Sequence, residues 1–195
     1  MRHPFPGADG RAARVIGVGN RWRGDDAAGI EVARRCGAEL VEGDLSALIE
    51  KWRGADSVIV VDAACSGAAP GTVHRIDATA APLPVRLSRS STHSLGLAET
   101  IELARMLDGL PRRLVVYAIE ARSFGIGQGL TPEVERAVTE LVLELEPDAH
   151  PAVGGHAPAP CLAVDDRQPE AAACRVAAAG EAGPVVAHGP PDTVG

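Results

Sequence analysis

Three side chains that can bind a divalent metal stand where strands are predicted to end or helices to begin. Asp26 follows an apolar run and a glycine-containing loop, Asp62 ends the run 57–62, and His93 precedes a strong helical pattern. Two carboxylates and an imidazole suit a transition metal such as nickel or zinc, with coordination positions left for substrate or water. The sequence therefore predicts a metal site, although helix capping, loop hydrogen bonding and surface exposure remain ordinary alternatives for the three residues.

A second carboxylate, Asp25, is adjacent to Asp26 in the same loop. An Asp directly before a helix commonly accepts hydrogen bonds from the free N–H groups of the first turn. We expect one member of this pair to act in capping and the other to face the candidate site. Repulsion between close carboxylates is expected to raise one pKa in the metal-free protein.

The elements that must position these residues alternate between strand and helix. Apolar runs predict strands, and apolar residues at helical spacing predict the segments between them. The strands are predicted at 14–19, 39–42, 57–62, 72–77 and 114–119, and the helices at 27–37, 45–52, about 97–107 and 131–145. This alternation predicts a three-layer α/β/α fold with a twisted, mainly parallel central sheet of about five strands. In such sheets ligands bind at the carboxyl ends of the strands, where Asp26 and Asp62 are predicted to lie.

The pattern divides the chain into three parts. Residues 1–13 are rich in Pro, Gly and Arg and are expected to form an irregular lead-in, whereas residues 14–146 carry the alternating pattern of one domain. More than half of residues 147–195 are Ala, Gly or Pro, and no long periodic segment is present there. We expect this tail to be disordered.

Composition excludes several classes of protein. A formal net charge of −7 argues against nucleic-acid binding, which needs a basic surface. No run approaches the roughly 18 apolar residues of a membrane span, and the N-terminus has no apolar segment typical of a secretory signal. The four cysteines lack C-x-x-C spacing. We therefore expect a cytoplasmic protein with reduced thiols.

Two other kinds of site receive less support. Gly17-x-Gly19 after a strand is reminiscent of a dinucleotide-binding loop, with Glu42 as a ribose ligand, but Trp22 occupies the third glycine position and the adjacent carboxylates would repel a pyrophosphate. A nucleophilic triad could use Ser66 or Cys65 with His93. Neither a Gly-x-Ser-x-Gly elbow nor a recognisable Cys-His signature is present.

Several segments together resemble the hydrogenase maturation endopeptidases. The first motif resembles their opening loop, the next two their middle strand and the loop after it, the fourth their histidine segment, and the last the start of their final helix. In chain order these segments are Gly17–Gly29, Val60–Ala64, Pro70–Arg75, Ser91–Ala98 and Gly129–Val134. One departure is Glu42–Leu45, which stands where many members have an Asp-Gly-Gly-Thr-like segment.

The resemblance implies an aspartic-type endopeptidase that removes a C-terminal extension from the large-subunit precursor of a nickel–iron hydrogenase after nickel insertion. It implies that Asp26, Asp62 and His93 bind the nickel, which the precursor supplies, and that the protein acts as a monomer or weak dimer. A carboxylate among Asp25, Asp26 and Asp62 would activate the attacking water. A maturation chaperone that binds nickel or the precursor without cleaving it is the alternative.

Overall fold

The computed structural model describes residues 5–6, 12–84 and 96–145, and the elements below lie in these ranges. The strands are β1 (Phe5–Pro6), β2 (Ala12–Gly19), β3 (Glu39–Glu42), β4 (Ser57–Ala64), β5 (Val73–Asp77) and β6 (Arg113–Glu120). The helices are α1 (Ala28–Cys36), α2 (Ala47–Trp52), α3 (Leu97–Met106) and α4 (Pro132–Leu145), and a 3-10 turn, Gly24–Ala27, leads into α1.

Five of the strands form the central sheet in the order β3-β2-β4-β6-β5. The pairings among β3, β2, β4 and β6 are parallel, whereas β5 pairs with β6 antiparallel and forms one edge. This confirms the predicted mainly parallel sheet and shows that the strand predicted at 72–77 is an edge strand. β1 adds a two-residue antiparallel pairing with β2, so part of the predicted lead-in is ordered against the sheet.

Two apolar cores, one on each face of the sheet, produce the predicted three layers. Successive residues of a strand point to opposite faces, so β4 contributes Val58 and Val60 to one core and Ile59 and Val61 to the other. Helices α2 and α3 cover the first face through Leu48, Trp52 and Ile101 and their neighbours. Helices α1 and α4 cover the second face. By the same alternation, Asp62 lies on the face that α3 covers.

Helix α1 lies very close to the sheet because glycines line the contact. A Cβ added to Gly29 would lie 2.2 Å from the carbonyl oxygen of Val61 and 2.3 Å from that of Val18. A Cβ added to Gly17 would lie 2.0 Å from the carbonyl oxygen of Gly29. The backbones of α1, β2 and β4 therefore approach each other at distances that only glycine allows. This packing places the start of α1 beside the carboxyl ends of both strands.

Several boundaries and one thiol differ from the sequence expectation. β4 and β6 extend past the predicted apolar runs, and β6 includes Glu120, which was expected to lie in a loop. Cys36 is a buried reduced thiol, as expected, whereas Cys65 is disulfide-bonded. The tail at 147–195 lies outside the described residues. Within the described ranges, no helix has the length and apolarity needed to cross a bilayer.

Candidate functional site

The carboxylates of Asp26 and Asp62 lie close to each other where the parallel strands β2 and β4 end. We call this side of the sheet the carboxyl edge and the opposite side, where these strands begin, the amino edge. Asp62 is the sixth residue of β4 and the only one of that strand that is not fully buried. Asp26 lies in the 3-10 turn after β2, and its carbonyl oxygen accepts a hydrogen bond from the backbone of Asn20 at 3.1 Å, which folds the turn back on the strand end. Adjacent parallel strands thus bring to one edge two acids that are 36 positions apart in the sequence.

The environment of this pair disfavours two negative charges. Burial, and secondly the negative charge of Asp26, raise the pKa of Asp62 to about 7, although the N–H of Ala63 donates to Asp62 Oδ1 at 2.8 Å and opposes the shift. Asp26 is itself only 5% exposed, and Arg23 Nη1 lies 3.8 Å from its Oδ2. The expected pKa rise in one carboxylate is thus present, but burial is its larger cause and the expected repulsion between carboxylates its smaller one. A cation bound between the two acids would relieve their repulsion, so the donor chemistry fits a divalent metal.

The third predicted ligand, His93, lies outside the described residues. Among the residues that the structure describes, no group of three His, Cys, Asp or Glu side chains is placed to hold a metal ion. Helix α3, which follows His93 in the chain, covers the sheet face to which Asp62 belongs. The metal-binding roles of Asp26, Asp62 and His93 therefore stay predictions, with the two carboxylates brought together.

Asp25 is the fully buried member of the adjacent pair, and its carboxylate accepts hydrogen bonds from another part of the chain. Its Oδ2 accepts the N–H groups of Arg122 at 2.8 Å and Ser123 at 2.9 Å, and its Oδ1 accepts the N–H of Thr131 at 2.7 Å. The Thr131 hydroxyl adds a fourth donor at 3.1 Å. Asp25 thus fastens the loop after β6 and the start of α4. The expectation that this acid caps its own helix is wrong, because its oxygens take donors from residues 122–131 and the N-cap positions of the 3-10 turn and α1 have no side-chain capping hydrogen bond.

A third acid, Glu120, was missed in the sequence because its strand was predicted to end one residue earlier. Glu120 is 2% exposed; its carboxylate accepts the Ser66 hydroxyl and the Gly67 N–H, each at 2.8 Å, and His74 Nε2 lies 3.5 Å away. Despite the cost of burial, the His74 imidazole and these donors hold its pKa below the usual range. An acidic residue ending a buried apolar run, as Asp62 does, was the available signal.

This cluster argues against the nucleophilic-serine alternative, whose predicted base His93 lies outside the described residues, because the Ser66 hydroxyl already has another acceptor. In a serine triad the imidazole must accept the hydroxyl proton, with the acid on the far side of the imidazole. Here the Ser66 hydroxyl donates to Glu120, which stands between Ser66 and His74. The dinucleotide alternative also loses its ribose ligand, because Glu42 makes a two-pronged ion pair with the Arg21 guanidinium.

The opposite edge of the sheet holds a cavity of about 600 Å³ lined by residues that include Asp56, Asp77 and Arg112. Of the predicted site residues that the structure describes, none lines this cavity. The cavity combines opposite charges at the amino ends of β4 and β6, whereas the paired acids lie at their carboxyl ends. The chemistry described above therefore belongs to the carboxyl edge.

Comparison with known proteins agrees with the geometry. The chain is 27% identical over 144 residues to the hydrogenase expression/formation protein HupD of Thiocapsa roseopersicina, an alignment that covers 67% of this chain and only 65% of that protein. It is 29% identical over 141 residues to the hydrogenase 2 maturation protease of Escherichia coli K12, covering 67% and 85% of the two chains. The fold matches the hydrogenase maturating endopeptidase HybD from E. coli with a TM-score of 0.58 and 26% identity, over 70% of this chain and 93% of that one.

A family model gives the assignment directly. The model described as hydrogenase maturation protease (HycI) matches residues 43–147, which is more than half of the chain and includes Asp62 and His93. The first motif, with Asp25 and Asp26, lies before this match and is joined to it through the packing of α1 on β4. By sequence, fold and family model together, the chain belongs to the hydrogenase maturation protease family.

Proposed function

We propose that this chain is an endopeptidase that removes the C-terminal extension of a nickel–iron hydrogenase large-subunit precursor after nickel insertion. The observation that carries the proposal is the pair of carboxylates, Asp26 and Asp62, placed close enough for one charge to raise the pKa of the other. The family assignment supplies the reaction class. The nickel belongs to the precursor and acts as part of the substrate.

The paired acids suit recognition of a precursor that already carries its metal. Asp26 and Asp62 gain a counter-charge when a divalent cation approaches, so a metal-loaded precursor should bind better than an empty one. His93 is the proposed third ligand. Binding by these side chains would fix the scissile bond relative to the carboxylates, and such positioning lowers the barrier to hydrolysis.

The hydrogen bonding of the three acids separates their roles in this proposal. The oxygens of Asp25 take four donors from the backbone and side chain of other segments, which leaves Asp25 as a positioning residue. Asp62 Oδ1 accepts the N–H of Ala63, and the residue is partly exposed at the end of the sheet. We therefore assign proton transfer from the attacking water to the Asp26–Asp62 pair.

The test is cleavage of purified precursor in its nickel-loaded and nickel-free forms, with the released peptide identified by mass spectrometry. We expect release only from the loaded form. Asp62→Asn should lower the rate at least about 100-fold, as expected when a group that acts in the reaction is removed. Asp77→Asn is the matched control, because Asp77 is also a half-buried Asp at a strand end but lies at the opposite edge.

His93→Ala tests the third ligand separately and should weaken cleavage of the loaded precursor. Equal cleavage of both precursor forms, or full activity of Asp62→Asn, would refute the proposed recognition. Stable binding of the precursor by the wild-type chain without peptide release would instead favour the non-cleaving chaperone.

A further inference from the structure

Two large apolar side chains are exposed on loops at the carboxyl edge. The side chains of Trp22 and Ile126 are 68% and 85% exposed. Trp22 lies in the loop after β2 and Ile126 in the loop after β6, and the Gly127 N–H donates to the Trp22 carbonyl oxygen at 2.8 Å. We call Trp22 and Ile126 the apolar platform. This hydrogen bond joins the two loops, so Trp22 and Ile126 are exposed on neighbouring loops at the same end of the sheet.

The two loops that carry the platform are held together by further backbone contacts. The N–H of Asp25 donates to the carbonyl oxygen of Ser123 at 2.8 Å, and the Asp25 carboxylate accepts hydrogen bonds from the same loop. A Cβ added to Gly24 would lie 2.7 Å from the Ser123 carbonyl oxygen, so the two loops are in direct backbone contact. Exposed apolar residues on a fixed base lose little conformational entropy when a partner covers them.

Contacts of a single residue connect the platform loops with the candidate site. Arg23, the residue after Trp22, lies with its guanidinium 5.9 Å from the centre of the Phe124 ring and 3.8 Å from the carboxylate of Asp26. One residue therefore links both platform loops to the paired acids. A chain bound with its scissile bond at those acids must pass close to this surface.

We propose that the apolar platform binds an apolar side chain of the precursor segment that runs past the scissile bond, and so helps to set the register of cleavage. This inference rests on the proposed function for the identity of the precursor. A second copy of this chain is a poorer occupant. Two side chains offer at most about 400 Å², whereas a stable dimer buries about 800 Å² on each partner.

Binding can be observed without cleavage by placing 5-fluorotryptophan in this chain and leaving the precursor unlabelled. The chain has two tryptophans, Trp22 and Trp52, and the second is buried, with its Nε1 donating to the Gly109 carbonyl oxygen at 3.1 Å. We expect the fluorine resonance of Trp22, assigned with Trp22→Phe, to shift when nickel-loaded precursor is added. The Trp52 resonance should stay in place and serves as the internal control.

Kinetics supply the second measurement. Trp22→Ser and Ile126→Ser should each raise KM about tenfold, as loss of an apolar anchor does, with kcat within about twofold. Leu107→Ser and Met106→Ser are matched controls, because these side chains are 66% and 76% exposed but lie at the end of α3 near the amino edge. Their KM values should equal that of the wild type.

The outcomes separate this inference from the proposed function. Peptide release with no Trp22 shift and unchanged KM in both platform variants would overturn the inference and leave the proposed function standing. A Trp22 shift without peptide release would support docking and refute the protease activity. A Trp22 shift caused by raising the concentration of the chain alone, with no response to precursor, would show self-association and overturn the inference.

Discussion

Asp25 and Asp26 are neighbours in the sequence and occupy different environments. The sequence predicts that one acid acts in capping and the other faces a site, but it does not say which acid does which. In the structure the Asp25 carboxylate accepts hydrogen bonds from the loop 122–131, whereas the Asp26 carboxylate lies near that of Asp62. The distinction depends on donors about 100 positions away, and local spacing carries no information about such contacts.

Asp62→Asn should increase stability although it slows cleavage. The ionised carboxylate is disfavoured by burial and by the charge of Asp26, and a neutral amide avoids both costs. At pH 8 without metal we expect the free energy of unfolding to rise by about 1–2 kcal/mol, less than the full pKa shift implies because the group is partly exposed. Urea unfolding measures this change, and Asp77→Asn should show none.

Asp25→Asn should destabilise the chain. The amide places an NH₂ group opposite buried N–H donors where a carboxylate oxygen now accepts, so at least one donor loses its acceptor. We expect a loss of about 2–3 kcal/mol in the free energy of unfolding. Asp56→Asn, at an exposed position, is the control and should change it by less than about 0.5 kcal/mol. Equal stability of the two variants would contradict the fastening role of Asp25.

At the scale of elements, the sequence predicts the order and type of the strands and helices well and their ends less well. Apolar runs and helical spacing locate the interior of each element, because those residues form the two cores. The ends depend on partners across the sheet. Glu120, for example, stays in β6 because its backbone N–H donates to the Thr72 carbonyl oxygen at 2.8 Å.

Because α1 lies so close to the sheet, one added methyl group in this contact should strongly lower the free energy of unfolding. A Cβ at Gly29 meets two backbone oxygens at less than 2.4 Å, and neither can move without shifting a strand. We expect Gly29→Ala to lower the free energy of unfolding by about 3 kcal/mol. Gly129→Ala is the control, since no atom lies within 4 Å of its added Cβ. Thermal and urea unfolding of both variants would measure the difference.

At the scale of the whole molecule, the sheet gathers separate segments at its carboxyl edge. Parallel order could be predicted from the alternation of strands and helices, and it correctly brings Asp26 and Asp62 together. The apolar platform and the Glu120 cluster could not be predicted, because each joins loops whose contacts no periodic pattern reveals. The exposure of Trp22, in particular, has no local signature.

The buried carboxylate of Glu120 should make the free energy of unfolding depend on pH. The pKa of Glu120 in the folded chain lies below its value of about 4.5 in the unfolded chain. The ionised carboxylate therefore stabilises the folded chain fully above pH 4.5, and this stabilisation is lost as the pH falls through the pKa of the folded chain. Glu120→Gln should therefore be less stable than the wild type by about 1–3 kcal/mol at pH 7. The difference should narrow below pH 4.5.

Urea unfolding between pH 7 and pH 3 tests this dependence. Glu140→Gln, at an exposed position on α4, should follow the wild-type curve throughout. A stability difference for Glu120→Gln that does not change with pH would show that packing, and not the charge of the carboxylate, fastens the Ser66–Gly67 loop.

The turn between α2 and β4 is a suitable place to attach the chain to a support, because it lies at the amino edge and the candidate site lies at the carboxyl edge. Gly54 has no atom within 4 Å of an added Cβ and lies at the amino edge, away from the paired acids and the platform. An affinity tag inserted at this turn would attach the chain to a resin and leave the carboxyl edge facing the solution. Precursor passed over such a column could then be processed and collected free of the protease.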